Sequence, residues 1–100
     1  MNQGLEEYAK YFLEVSSEQR LKIIQLINEK KFRLTELAKV LDATTPEVHR
    51  NLDRLEKSGF IIKDAEGNFV LTALGHMLLA LIPNFAFIIE NKKYTTCQHY

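Results

Sequence analysis

One hundred residues fit one domain by the usual length prior, and 46% hydrophobic with 26% charged residues is the range of an ordinary globular protein rather than a disordered tail. Thirteen basic and thirteen acidic side chains cancel to a formal net charge of zero. That excludes a uniformly basic nucleic-acid binder but not a neutral chain with one basic face. The lone cysteine, Cys97, excludes an internal disulfide framework and points to a reducing, cytoplasmic setting. No cationic stretch followed by an apolar run marks a signal peptide.

The first helix is expected over residues 5–15, where Leu5, Tyr8, Phe12 and Val15 recur at three- and four-residue steps. Tyr11 lies off that stripe and is expected to touch a partner chain. Ser16 and Gln19 have the spacing of a capping box opening a second helix, which runs to about Asn28. Its Leu21, Ile23, Ile24, Leu26 and Ile27 cover more than half the circumference, so it is read as the central buried helix. Residues 32–34 suffice only for a small β-bridge. Thr35 is placed as the cap of a short helix over residues 36–41 with Leu37, Val40 and Leu41 inward, and Ala38 is small enough for a close helix crossing.

After a turn at residues 42–44, Thr44 and Glu47 repeat the capping-box spacing, and Pro46 falls in the first turn, where its missing N–H costs nothing. Val48, Leu52 and Leu55 form the buried stripe of this helix. At 100° per residue the opposite face carries Arg50, Asp53 and Lys57, with Arg54 and Glu47 on one flank and His49 on the other. Ser58 and Gly59 stop it. Residues 60–64 and 68–72 read as the strands of a hairpin closed by turn formers at 64–67. Thr72 caps a last helix carrying Leu74, Met77, Leu78, Leu81 and Ile82. Pro83 and Asn84 are expected to break or kink it before a further helical piece over residues 85–90. Interrupted by Gly75, His76, Pro83 and Asn84, residues 73–89 fall short of the roughly 18 to 20 apolar residues of a membrane span. A buried or dimer-forming helix is expected instead.

This order gives an α+β, mainly α architecture: a winged helix-turn-helix with additional N- and C-terminal helices. The chain is read as a single domain, with an N-terminal helix (5–15), a winged core (16–72), a C-terminal dimerisation helix (73–91) and a tail (92–100). Three stretches resemble the ArsR/MarR-like winged-helix transcription regulators, particularly the archaeal ones. Arg20-Leu21-Lys22-Ile23-Ile24 with Leu26-Ile27 resembles their first core helix. Glu36-Leu37-Ala38 through Val48, Leu52, Leu55 and Gly59-Phe60-Ile61 resembles the helix-turn-helix running into the wing, and Leu71-Thr72-Ala73-Leu74-Gly75 the junction beyond it.

The resemblance implies a homodimer on a roughly palindromic double-stranded DNA operator, joined by its terminal helices through Leu5, Tyr8, Phe12, Met77, Leu78, Leu81 and Phe85. It also makes helix 44–58 the recognition helix. The paired cysteines of metal-sensing members have no counterpart on the helix beginning Leu34-Thr35-Glu36-Leu37, so metal sensing is not carried over. The wing tip, Asp64-Ala65-Glu66-Gly67, is acidic where a DNA-gripping wing is usually basic.

On this reading Arg50 and Arg54 contact base edges or phosphates, because the guanidinium fork matches guanine O6/N7 and phosphate oxygens alike. Thr44 and Thr45 bind phosphate at the helix N-terminus. His49 donates to a base or phosphate, Lys57 meets phosphate, Lys63 and Asn68 touch the backbone from the wing, and Glu47 lies at the edge of the face. Against this, Asp53 and Glu47 repel phosphate, and an Asp53–Lys57 pair makes an ordinary solvated face. His76, Cys97 and His99 do not complete a metal site, no cofactor is implied, and no nucleophile elbow, phosphate loop or paired carboxylates suggest an enzyme. Two other readings stay open: a winged-helix module for protein–protein interaction in a transcription or other multi-subunit complex, and the N-terminal module of a longer regulator.

Overall fold

Twelve buried apolar residues drawn from every part of the chain between Ile23 and Phe69 make one core, and the elements are arranged around it. In the computed structural model, which describes residues 2–93, the order is α1 (Asn2–Val15), α2 (Glu18–Glu29), α3 (Leu34–Leu41), α4 (Thr45–Lys57), β1 (Ile61–Lys63), β2 (Phe69–Leu71) and α5 (Ala73–Glu90). Helix α2 is central, as its apolar girth requires: Ile23, Ile24 and Ile27 are buried, and it meets α4, α5 and β2. Burying such side chains contributes about 1.5 to 3 kcal/mol each.

The first two helix junctions differ from expectation in a way that hydroxyl geometry explains. Ser16 does not cap α2. Its Oγ donates to the Leu13 carbonyl (2.8 Å), an acceptor left over at the end of α1, and Ser17 instead accepts the Arg20 amide (3.2 Å). Gln19, freed from the box, reaches Asn51 on α4. Thr35 does not cap α3 either. The Phe32–Phe69 bridge holds residue 32 extended, the helix starts at Leu34, and the Arg33 amide donates to Glu36 Oε1 (2.9 Å). Starting there, Leu34, Leu37, Ala38 and Leu41 share one 100° arc, and Val40 falls outside it, exposed rather than inward. Asp42 ends α3 in the left-handed conformation (φ 52°).

The wing is a short antiparallel hairpin in the register Ile61–Leu71, Ile62–Val70, Lys63–Phe69, widened by the bridge in which the Phe69 amide donates to the Phe32 carbonyl (2.7 Å). Thr72 then does three things at once. Its amide donates to Phe60 O (3.1 Å), its hydroxyl donates to Gly59 O, and the same oxygen accepts the Gly75 amide (3.2 Å) as the cap of α5. The helix is thereby pressed onto the wing so closely that a Cβ on Gly75 would lie 2.2 Å from Phe60 O.

Helix α5 continues through Pro83 without the expected break. Proline's fixed φ is itself helical, so the loss is confined to its own N–H and the carbonyl four residues back. Unbroken, α5 has 18 residues with mean hydropathy 1.6, long and apolar enough by length and composition to cross a membrane. The fold, however, commits its first two turns: Gly75 is seated on Phe60, and Leu78 and Leu79 pack on the core. What projects beyond, residues 80–90, reaches only about 16 Å, against roughly 30 Å of bilayer hydrocarbon.

Gly75→Ala tests this seat. Alanine favours a helix by about 1 kcal/mol over glycine, so intrinsic propensity predicts a more stable protein. The contact with a backbone carbonyl, which cannot rotate away, predicts a loss of about 1 to 3 kcal/mol. A melting temperature lowered by roughly 5 to 15 °C in calorimetry is the expected result.

Candidate nucleic-acid interface

Helix α4 is positioned by caps at both ends and a dry stripe between. Thr44 Oγ1 accepts the Glu47 amide (3.3 Å), Pro46 sits in the first turn, and Ser58 closes the far end with its hydroxyl on Arg54 O (2.8 Å). Val48, Leu52 and Leu55 are all but inaccessible to solvent, and buried Ala38 belongs to α3, the helix with which α4 packs most extensively. Gly59 (φ 86°) then turns the chain into the wing.

A buried arginine that the hydrophobic pattern alone does not flag as functional locks this helix to α1. Arg20, only 7% exposed, donates through Nε to Glu14 O, through Nη2 to Leu13 O (3.3 Å) and through Nη1 to Asn51 Oδ1 (2.8 Å). Asn51 in turn donates to Gln19. Burial pulls the Arg20 guanidinium below its usual value, with Arg54's charge acting in the same direction and Glu14's opposing. The signal was in the sequence: Arg20 is in phase with Ile24 and Ile27, on the stripe rather than off it.

The predicted contact residues divide into free and engaged groups. Arg50 is exposed and makes no hydrogen bond or ion pair among the described residues, and His49, Thr45 and Lys63 are also exposed. Arg54 is engaged: its Nε and Nη2 hold both oxygens of Glu14 on α1 (2.9 and 3.2 Å). Lys57 holds Asp53 one turn back (2.9 Å). Thr44's hydroxyl oxygen is occupied as the cap, and with Pro46 lacking an N–H and the Glu47 amide capped, the helix N-terminus has little beyond Thr45 to offer a phosphate. Glu47 and Asn68 are half-buried.

The acidic wing tip is a turn organiser. Asp64 Oδ1 accepts the amides of Glu66 and Asn68 (2.9 Å each), its Oδ2 lies 3.3 Å from Lys31 Nζ, and Gly67 (φ 87°) completes the turn. Lys63 lies over the Phe69 ring, 5.1 Å from its centre, at the edge of the hairpin.

Of the residues predicted for a dimer contact, Leu5, Tyr8, Phe12, Met77, Leu81 and Phe85 are each more than half exposed on α1 and α5. Leu78 instead packs against its own core. Tyr11, expected to touch a partner, sets its ring edge-on to Phe60 of the same chain (6.0 Å, 89°). With Tyr8, Phe12, Val15 and Leu78 these two rings line an open apolar groove of about 360 Å³. Among the described residues no group of three or more His, Cys, Asp or Glu side chains is placed to hold a metal ion. Cys97 and His99 lie outside the described residues.

The family model described as the HVO_A0261 N-terminal domain matches residues 9–93. Among curated proteins none matches the chain. Several solved structures do. The solution structure of Mb0332 (fragment 1–100) from Mycobacterium bovis, a homodimeric winged helix-turn-helix DNA-binding domain and possible ArsR-family regulator, superposes with a TM-score of 0.75 at 19% identity, covering 87% of this chain and 84% of that one. Reduced HlyU from Vibrio cholerae gives 0.65 at 17% identity over 85% and 97%. MepR, a transcription regulator of the Staphylococcus aureus multidrug efflux pump MepA, gives 0.60 at 21% over 99% and 78%. At these identities the likeness establishes the winged helix-turn-helix fold.

Two carboxylates make the assembly acid-sensitive. Hydrogen bonding from Asn68, aided by Glu66 and Lys31, holds Asp64 below the usual aspartate range, and Arg54's hydrogen bond does the same for Glu14. A depressed folded-state pKa contributes stability above the unfolded value that is lost as pH falls through the folded one. Stability is therefore expected to decline below about pH 4. In NMR titrations the Glu66 and Asn68 amides are expected to report a midpoint below the ordinary aspartate value of about 3.9. A midpoint at or above it would remove Asp64 as the organiser of the wing.

Proposed function

The chain belongs to the HVO_A0261 N-terminal domain family, and from that membership and the winged fold we propose that it is a sequence-specific DNA-binding transcription regulator. It works in the cytoplasm as a homodimer, and α4 is its recognition helix. The observation that carries the reading is Arg50: a guanidinium at mid-helix with no partner among the described residues, opposite a buried stripe, on a helix capped at both ends. A rigid helix with one free fork directed outward suits bidentate contact with a guanine edge in the major groove.

Thr45 and His49 flank it on α4, and Lys63 lies on the wing, where each can meet phosphate; Lys57 can do so once it leaves Asp53. Arg54, Thr44, Glu47 and Asn68 belong to the same surface with their side chains already engaged or half-buried. The exposed stripes Leu5, Tyr8, Phe12 and Met77, Leu81, Phe85 form a self-complementary apolar face for a second copy, which would place two α4 helices on a palindromic operator. Mb0332, with the same fold, is a homodimer. Occupying the promoter, and so blocking or recruiting polymerase, is the mechanism. The specific observation favouring the alternative, a protein–protein interaction module, is the charge balance: net zero overall, with two of the three α4 cations paired to carboxylates.

Fluorescence anisotropy with duplex DNA across a salt series separates the two. Binding is expected to weaken linearly on a log–log plot, with a slope of about −0.9 for each phosphate neutralised. No binding at low salt would leave the interaction module standing. On its operator, Arg50→Ala is expected to cost roughly 1 to 3 kcal/mol, and unchanged affinity would take Arg50 off the reading face. Light scattering is expected to give twice the chain mass at micromolar concentration; a value near 11.6 kDa would count against the terminal-helix interface.

A further inference from the structure

Resting on the DNA-binding reading above, we infer that Glu14 and Asp53 are resident counterions of the recognition helix, which occupy Arg54 and Lys57 in the free protein and hold down its affinity for arbitrary duplex DNA. Of the three cations that α4 turns outward, Arg50 alone has no carboxylate of the described residues on it. The two covered ones are covered differently. Asp53 is the i, i+4 neighbour of Lys57, a local pair of a few tenths of a kcal/mol that yields readily. Glu14 comes from another helix, 40 residues away in sequence, and grips Arg54 with both oxygens.

Its placement is no accident of a loose side chain. Glu14's own carbonyl is one of the acceptors of the buried Arg20 guanidinium, and Arg20 also holds Asn51, one turn before Arg54 on the same flank of α4. The carboxylate is therefore anchored beside Arg54 by the clamp that docks α1, and its side chain is only 25% exposed.

The consequence follows from counterion release. A cation entering the field of DNA gains affinity by releasing a condensed counterion, with about −0.9 in log–log salt slope for each phosphate neutralised. Arg54 with Glu14, and Lys57 with Asp53, are each neutral units and release none. A phosphate must displace the carboxylate to gain the contact. Arbitrary sequence offers nothing beyond phosphates to compensate, whereas an operator adds the base edge that Arg50 reads. The two carboxylates thus lower binding to arbitrary duplex DNA.

The test is anisotropy of the full chain with a random-sequence duplex between about 50 and 200 mM salt, comparing wild type with Glu14→Gln, Asp53→Asn and the double variant. Glu90→Gln, at the far end of α5, is the control for net charge. Glutamine retains an acceptor for Arg54, and thermal melts check that each variant is folded. Glu14→Gln and Asp53→Asn are each expected to tighten binding about 3- to 10-fold and to steepen the slope by about 0.9 per subunit, and Glu90→Gln to do neither. Wild type that binds, with Glu14→Gln and Asp53→Asn binding no tighter, overturns this inference alone. Weaker binding by Glu14→Gln also overturns it, since Glu14 would then be a buttress holding Arg54 for contact. Absence of binding by wild type and every variant overturns both this inference and the DNA-binding reading, while binding gained only by the variants supports both.

Discussion

The placement of α4 against α1 depends on one buried guanidinium. Arg20 projects from the central helix into the angle between α1 and α4, and its donors there go to two carbonyls at the end of one helix and an amide oxygen on the other. The end of a helix carries unpaired carbonyls and a partial negative charge, so a cation there is attracted and also supplies the missing donors. A charge this far from solvent would be costly without such partners. With them, it ties a helix that contributes almost nothing to the hydrophobic core to the helix that presents Arg50.

Helix α1 needs that tie. Leu5, Tyr8, Phe12 and Leu13 are exposed, and only Val15 at its end packs against the core. Its attachment is polar at the C-terminal end, through Arg20 and through Glu14 to Arg54, and aromatic where Tyr11 meets Phe60. The exposed apolar surface of α1 is thereby tied to α4, the helix that presents Arg50. The wing is coupled to α5 by the same kind of close polar contact, Thr72 to Gly59 and Gly75 against Phe60 O.

The balance of charge reads differently once side chains are placed. Formal neutrality conceals a division of labour. Asp64 shapes the wing turn, Glu36 caps α3, Glu14 and Asp53 sit on the cations of α4, and Arg50 is left over. Counted from the sequence, each acidic residue beside a basic face repels phosphate, but carboxylates doing local structural work repel less than free ones, because their charge is already met by amides or cations.

Periodicity and cap chemistry were enough to determine the helix-turn-helix from Leu37 to Gly59, the hairpin, the Thr72 cap and the buried stripe of α4, because those signals are local: a side chain within four residues decides each one. Expectation and structure part where two local solutions compete and a distant partner chooses. Ser16 or Ser17 could cap α2, and the stray Leu13 carbonyl decided; Thr35 or Arg33 could precede α3, and the bridge to Phe69 decided. Arg54 was correctly placed on a flank of α4, yet its partner lies 40 residues away, and no spacing rule reaches that far. Sequence alone thus determined which elements form and which face α2 and α4 bury, whereas α3 turned Val40 outward and the stripe of α1 stayed exposed. Tertiary structure decided which charges remain free to act, because pairing depends on distances between elements that the chain crosses only after folding.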